Sequence, residues 1–325
     1  KGKNISKEQS WKSRAPSRSP APHDQIKNEV TMDVIIQAII NGVMSGSYYG
    51  LAALGLTLVF GVIKVINFAH GSLLMVGMFT AYWIVMLTGW NPYAALFLVV
   101  PMLFIFGYAL QGIVIKPILE AQREVREPVE VIIVTTGVWY ILDNLALMSF
   151  GAEYRVVQTS MSGQIFMLGD YIFPKAQTYG LITTIVTSGL LLWFLKYTRM
   201  GKSIRAASLD RDAASLMGIN QYRVYNIAFG IGAAIAGIVG CVLIPFYYVF
   251  PSVGVVFDVK CFIIVVLGGL GSIPGALIGG LIIGLIESIF AQYMASTWTE
   301  LIVYVVFLAV LFIRPAGLFG EKRDW

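Results

Sequence analysis

Residues 34–63 read VIIQAIINGVMSGSYYGLAALGLTLVFGVI, without one charged side chain. After the single Lys64, a second uncharged run extends from Val65 to Ile115. Working outward, Val224 to Phe257 and Cys261 to Ile286 form two more. A helix that crosses the hydrocarbon core needs roughly 20 apolar residues, so the longer runs hold more than one crossing or a broken helix. Backbone groups in lipid must be paired internally, which leaves helices or closed barrels. Barrel strands alternate apolar and polar positions over about 10 residues, and these runs do not. The fold class is therefore an all-α integral membrane protein, a polytopic helical bundle with about 8–10 crossings.

Composition agrees. The chain has 325 residues, 57% hydrophobic and 13% charged, whereas about a quarter of an average soluble chain is charged. An ordinary soluble enzyme, a disordered protein and a disulfide-stapled secreted domain are excluded. Crossings are expected near 34–62, 71–89, 93–115, 129–150, 177–197, 224–249, 258–271 (shortened by glycines), 275–295 and 298–314. Residues 1–31 hold seven Lys/Arg against three Asp/Glu, which is +4 of the net charge of +5. They read as a disordered basic extension, as sequence upstream of a start at Met32, or as a basic arm on the membrane surface. Residues 32–320 read as the transmembrane domain and 321–325 as a cytoplasmic tail. With 16 basic and 15 acidic side chains beyond residue 31, the basic balance does not point to nucleic acid.

Basic residues set the orientation. Lys196, Arg199, Lys202, Arg205, Arg211 and Arg223 place 196–223 in the cytoplasm. The same parity places Lys116, Arg123 and Arg126 inside, and the 151–176 loop and Met32 outside. Gly201-Lys202-Ser203 echoes the end of a phosphate-binding loop, but Lys196 stands where its first glycine is required, so no ATP site is expected here. Within 199–223, Asp210 is a good N-cap, Asp212 suits the positive end of a helix, and Gly218 is a natural stop. That pattern predicts a helix of about two turns, with Ala213, Ala214, Leu216 and Met217 as a small apolar face. It is either a docking helix for a soluble partner or a plain interfacial loop.

Polar interruptions mark the remaining candidates. Asn67-Phe68-Ala69-His70-Gly71-Ser72 is either a helix break lining a pathway or a tight cytoplasmic turn. Gly268-Gly269-Leu270-Gly271-Ser272-Ile273-Pro274-Gly275 breaks another helix, either at a gate or at a packed turn. Asp143 and Asn144 lie inside a crossing, where a carboxylate is a functional candidate by default. Gln111, Asn226 and Glu287 are further buried polar positions. Gly42, Gly46 and Gly50, and Gly280 with Gly284, repeat at the spacing of close helix packing. Cys241 and Cys261 fit no zinc site. No catalytic constellation and no metal cluster is present in the sequence pattern, so neither a catalytic residue nor a bound cofactor is expected.

Four stretches together resemble the permease subunits of branched-chain amino acid ABC importers of the Liv type. They are Gly55-Leu56-Thr57-Leu58 leading to Asn67-Phe68-Ala69-His70-Gly71; Arg205-Ala206-Ala207 through Asp210 to Gly218-Ile219-Asn220; Gly268 through Ala276; and Arg314-Pro315-Ala316-Gly317-Leu318-Phe319-Gly320. Many relatives carry an acidic residue where this chain has Ser72. The resemblance implies a bacterial inner-membrane permease working by alternating access. It also implies ATP-binding subunits, a second permease subunit (identical or different) and a periplasmic substrate-binding protein as partners. It assigns coupling to the ATP-binding subunit to Arg205, Asp210, Asp212, Ala214, Leu216 and Gly218. Asn67, His70, Asp143, Asn144, Gly269 and Gly271 become the pathway candidates. The solute is a branched-chain amino acid, urea, an amide or a small organic acid. The rival reading is an ion-coupled carrier or channel, with Asp143 or Glu287 on the coupling ion.

Overall fold

A computed structural model describes residues 22–121, 129–159 and 161–320. Arg123 and Arg126, the tail 321–325 and residues 1–21 of the basic extension lie outside the described residues. Helix α1 (Pro22–Ile63) is continuous, so the helix extends back from the apolar span Met32–Ile63 into the end of the basic stretch. The other long helices are α2 (His70–Thr88), α3 (Pro92–Leu110), α5 (Val129–Phe150), α6 (Lys175–Tyr197), α9 (Gln221–Leu243), α11 (Ile273–Phe290) and α12 (Ser296–Ile313). A π-helical turn at Gln111–Ile115 joins α3 to α4 (Lys116–Ala121). Among the described residues eight helices are long and apolar enough to cross a membrane. The shorter α10 (Val253–Gly268) takes the place of the expected glycine-shortened crossing.

Buried positions make up 94% of the apolar window in α1, 78% in α9 and 11% in α12. The bundle is therefore built around α1 and α9, while α12 turns most of its surface outward. Small residues make the central contacts. A Cβ on Gly46 would lie 2.7 Å from the Gly280 carbonyl oxygen and the Leu281 Cα of α11. Gly280 and Gly284 meet the backbone of Gly50 and Gly46 in return. In lipid, where burial alone does not drive association, such backbone approach is what holds helices together.

The two ends of the bundle differ. At one, β1 (Ile165–Leu168) and β2 (Tyr171–Pro174) form an antiparallel hairpin turned by Gly169 at φ 65° and Asp170. The Gln37 side chain of α1 pairs with both backbone groups of Ile172, at 2.8 and 2.9 Å. Arg155 bridges to Val249 at the same end. At the other end lie α7 (Arg199–Leu209) and α8 (Arg211–Leu216). The 151–176 loop and the 196–223 segment thus sit at opposite ends of the bundle, the separation that the charge pattern predicts.

Candidate functional site

Helix α2 does not start at a surface turn. His70 Nε2 bonds the Ala52 carbonyl oxygen at 2.9 Å. Ala52 lies eleven residues before Ile63 in α1, or about 16 Å along the axis at 1.5 Å per residue. The break 64–69 therefore carries the chain back into the bundle before α2 begins. The orphan amides of the first turn find partners there. Ala69 N–H donates to Asn67 Oδ1 at 3.1 Å, and Gly71 N–H donates to Asp258 Oδ1 of α10 at 3.0 Å. Gly71 and Gly254 touch backbone to backbone, so the first turns of α2 and α10 meet inside the protein. The segment is a helix break inside the bundle rather than a turn at its surface.

A cavity of about 190 Å³ opens beside this junction. Leu56 of α1, Ile66, Asn67 and Phe68 of the break, Trp139 of α5, and Val255, Asp258, Val259 and Phe262 of α10 line it. Asn67 is buried, its Nδ2 has no hydrogen-bond partner, and Asp258 is in no ion pair among the described residues. Next to it, Asp143 accepts from Ser72 Oγ at 2.7 Å and from Trp139 Nε1 at 2.8 Å. Ser72 thus meets a carboxylate supplied from α5.

The other pathway candidates fall elsewhere. His70 is clamped against α1, its ring 3.0 Å from where a Gly55 Cβ would be, and does not line the cavity. Asn144 is exposed and bonds its own helix at the Tyr140 carbonyl, so it is not joined to Asp143. Gly269 and Gly271 adopt φ 104° and 86° at the α10–α11 turn. The chain end covers that turn, with Leu318 N–H on Leu267 O at 2.8 Å and Phe319 N–H on Gly268 O at 3.1 Å. The sequence reading missed Asp258, which it treated as the edge of a crossing. An acid two residues from a base inside a glycine-bounded apolar run is the signal that was available.

A second polar cluster sits on another side of α10. Lys260 Nζ lies 2.7 Å from Glu287 Oε1 and 3.0 Å from the Tyr49 hydroxyl, and 4.5 Å from the Tyr49 ring centroid.

At the end of the bundle opposite the hairpin, Asp210 caps α8 by accepting from Asp212 N–H at 2.9 Å and Ala213 N–H at 3.0 Å. Gly218 stops it at φ 80°, with Ile219 N–H closing back on Ala214 O at 3.1 Å; this is the expected two-turn unit. Its apolar face is different from the expected one. Ala214 is buried against the bundle, whereas Leu209, Leu216 and Met217 are 80%, 89% and 83% exposed. Arg205 and Asp212 are exposed as well. Helix α7, which was not expected, anchors the unit by burying Gly201, Ile204 and Ala207. The Arg211 guanidinium donates to the Ile63 carbonyl oxygen at the end of α1, where a cation suits the helix dipole.

The family model described as branched-chain amino acid transport system / permease component matches residues 38–311. The high-affinity branched-chain amino acid transport system permease protein LivH of Escherichia coli K12 is 33% identical over 291 residues, covering 86% of this chain and 93% of its own length. The corresponding protein BraD of Pseudomonas aeruginosa is 29% identical over 298 residues, covering 86% and 93%. A probable LivH of the archaeon Methanocaldococcus jannaschii is 31% identical over 293 residues, covering 85% and 89%. No solved structure matches the chain at significant similarity.

Proposed function

The chain belongs to the branched-chain amino acid transport permease family, and from that premise we propose that it is the membrane-spanning subunit of an ATP-binding cassette importer. It moves a branched-chain amino acid, or a small polar solute like it, across the inner membrane by alternating access. ATP is hydrolysed on a separate subunit, a second permease chain completes the channel, and a binding protein delivers the solute from outside.

The observation that carries this reading is the α7–α8 unit. Three large apolar side chains, Leu209, Leu216 and Met217, are exposed on this unit, and nothing among the described residues covers them. They suit a groove on a soluble partner. Arg211 ties the unit to the end of α1, and α1 leads into the break, the cavity and α2. A push on α8 therefore reaches the pathway through one helix end and one polar hinge. For ATP to move the bundle it must bind one conformation better than the other.

Reconstitution with the cognate ATP-binding subunit, second permease and binding protein tests this. ATP-dependent uptake of labelled L-leucine is expected. Arg205→Glu, or Gly218→Leu at a φ that a leucine adopts only at a cost of about 1–3 kcal/mol, should abolish uptake while leaving membrane insertion intact. Uptake at the wild-type rate in both variants, at matched expression, would overturn the coupling role. Uptake driven by an ion gradient without any ATP-binding subunit would favour the carrier reading instead.

A further inference from the structure

We propose that the β1–β2 hairpin lies in the membrane boundary, with both of its apolar faces in lipid at the level where acyl chains meet headgroups. The proposal goes beyond the importer reading and does not depend on it.

Composition comes first. β1 reads Ile165-Phe166-Met167-Leu168, four apolar residues with no polar alternate, and all four are exposed. Successive side chains of a strand point to opposite faces. Ile165 and Met167 make one face apolar, and Phe166 and Leu168 the other. On β2, Ile172 stands opposite Met167 and is exposed as well. A sheet with one face in water alternates apolar and polar positions, and an exposed apolar edge strand in water is an aggregation hazard. A protein docked on the hairpin covers one face and leaves the other in water. Immersion in lipid covers both.

Depth comes second. The Gln37 side chain pairs with both backbone groups of Ile172. Gln37 lies four residues beyond Asp33, the last charge before the uncharged run of α1, or about 6 Å along the axis. Asp33 accepts from the Tyr171 hydroxyl at 3.3 Å. The hairpin is thus fastened to α1 at two levels, one charged and one inside the apolar run. Elements that lie in a membrane interface bury their apolar side about 5–10 Å into the boundary, which matches the deeper level. Unpaired backbone groups are costly in lipid, and the Gln37 amide serves those of Ile172. β1 has no strand partner besides β2 among the described residues. Its free edge needs headgroup water, which places the hairpin at the boundary and not in the hydrocarbon core.

Continuity comes third. β2 leads directly into α6, a membrane-spanning helix. The Phe166 ring lies 6.5 Å from the Tyr179 ring of α6, which lies 5.7 Å from the Tyr93 ring of α3. Lys175 Nζ stands 4.9 Å from the Phe166 centroid. Aromatic rings collect at the interfacial level of a crossing, and a lysine stem there keeps its charge toward the headgroups. Tyr179, Ile182 and Val186 share one exposed face of α6 at helical spacing. The apolar surface of the hairpin runs on into this face, which meets lipid.

The test uses the full chain in proteoliposomes of phosphatidylethanolamine and phosphatidylglycerol. Met167→Cys and Leu168→Cys put one thiol on each face, at positions 68% and 72% exposed. Cys241 and Cys261 are buried and stay unlabelled. Each variant carries a nitrobenzoxadiazole label, and the exposed Asp212→Cys on α8 is the reference in water. Liposome flotation reports insertion. Labels at 167 and 168 should emit about 10 nm or more to the blue of the reference, and a nitroxide at carbon 5 of the acyl chain should quench both about threefold more than the reference. Emission like that of the reference, quenched by aqueous iodide and not by the lipid nitroxide, overturns the proposal. Lipid quenching on one face alone overturns it too, because a hairpin covered from one side is not immersed. A blue shift that appears only when a soluble binding protein is added assigns the hairpin to a protein partner and overturns it as well. Should the Met167→Cys or Leu168→Cys chain fail to insert, Ile172→Cys or Phe166→Cys on the same face is scored by the same criteria.

Discussion

Asp258 and Lys260 stand two residues apart on α10 and have been treated oppositely by the fold. Lys260 has a carboxylate at 2.7 Å, a hydroxyl at 3.0 Å and an aromatic face at 4.5 Å. Asp258 has one backbone amide at 3.0 Å and an open cavity. Both charges come from the same helix, yet only one has its counter-charge among the described residues. A paired charge in a membrane bundle holds helices to one another, here α1, α10 and α11. An unpaired one is expensive to keep, which makes its position a functional candidate.

The comparison breaks most visibly at Glu287. Glu287→Ala strands the partly buried Lys260 and should cost up to about 3 kcal/mol, the lower end of the penalty for breaking a buried pair. The loss is read as the midpoint of thermal aggregation in detergent. The double variant Lys260→Met/Glu287→Met should recover most of it, because an apolar pair of similar volume often replaces a buried ion pair without net loss. No recovery would mean that the pair does more than join helices.

Asp143 is the intermediate case, a carboxylate with two donors and no ion pair among the described residues. Ser72→Ala removes one bond to a charged group and should cost about 1.5–3 kcal/mol. The swap Ser72→Asp/Asp143→Ser keeps one acid and one hydroxyl in reversed positions. It should be more stable than Ser72→Asp alone, which sets two carboxylates against each other. Equal stability of the single and swapped variants would show that the two positions are not coupled.

The contrast on α10 also marks where the sequence was legible. The apolar stretch after Pro128 located α5 to the residue, at Val129–Phe150, even with Glu130 and Asp143 inside it, because length in lipid leaves little freedom. The Asp210–Gly218 unit was equally legible, since capping chemistry is local. Asp258-Val259-Lys260 was not. An acid and a base so close resemble the end of a crossing, and only the packing of α2 and α11 shows them inside one, with separate neighbours. Ala214 and Asn144 failed for the same reason: composition places a residue on a helix, but tertiary contact decides which face is covered. The hairpin at Ile165–Pro174 depends on Gln37, 135 positions from its partner Ile172, a pairing that no local pattern encodes.

The smallest expected change in stability is at Asp258. In Asp258→Asn the side-chain oxygen can still accept from Gly71 N–H, and a buried charge without a counter-ion disappears. Stability should therefore shift by less than about 1 kcal/mol, and the relief of desolvation favours the variant. The thermal midpoint of Asp258→Asn should therefore stay or rise, whereas that of Glu287→Ala should fall. A drop at Asp258→Asn as large as that at Glu287→Ala would erase the distinction between the two faces of α10 and make Asp258 another helix clamp.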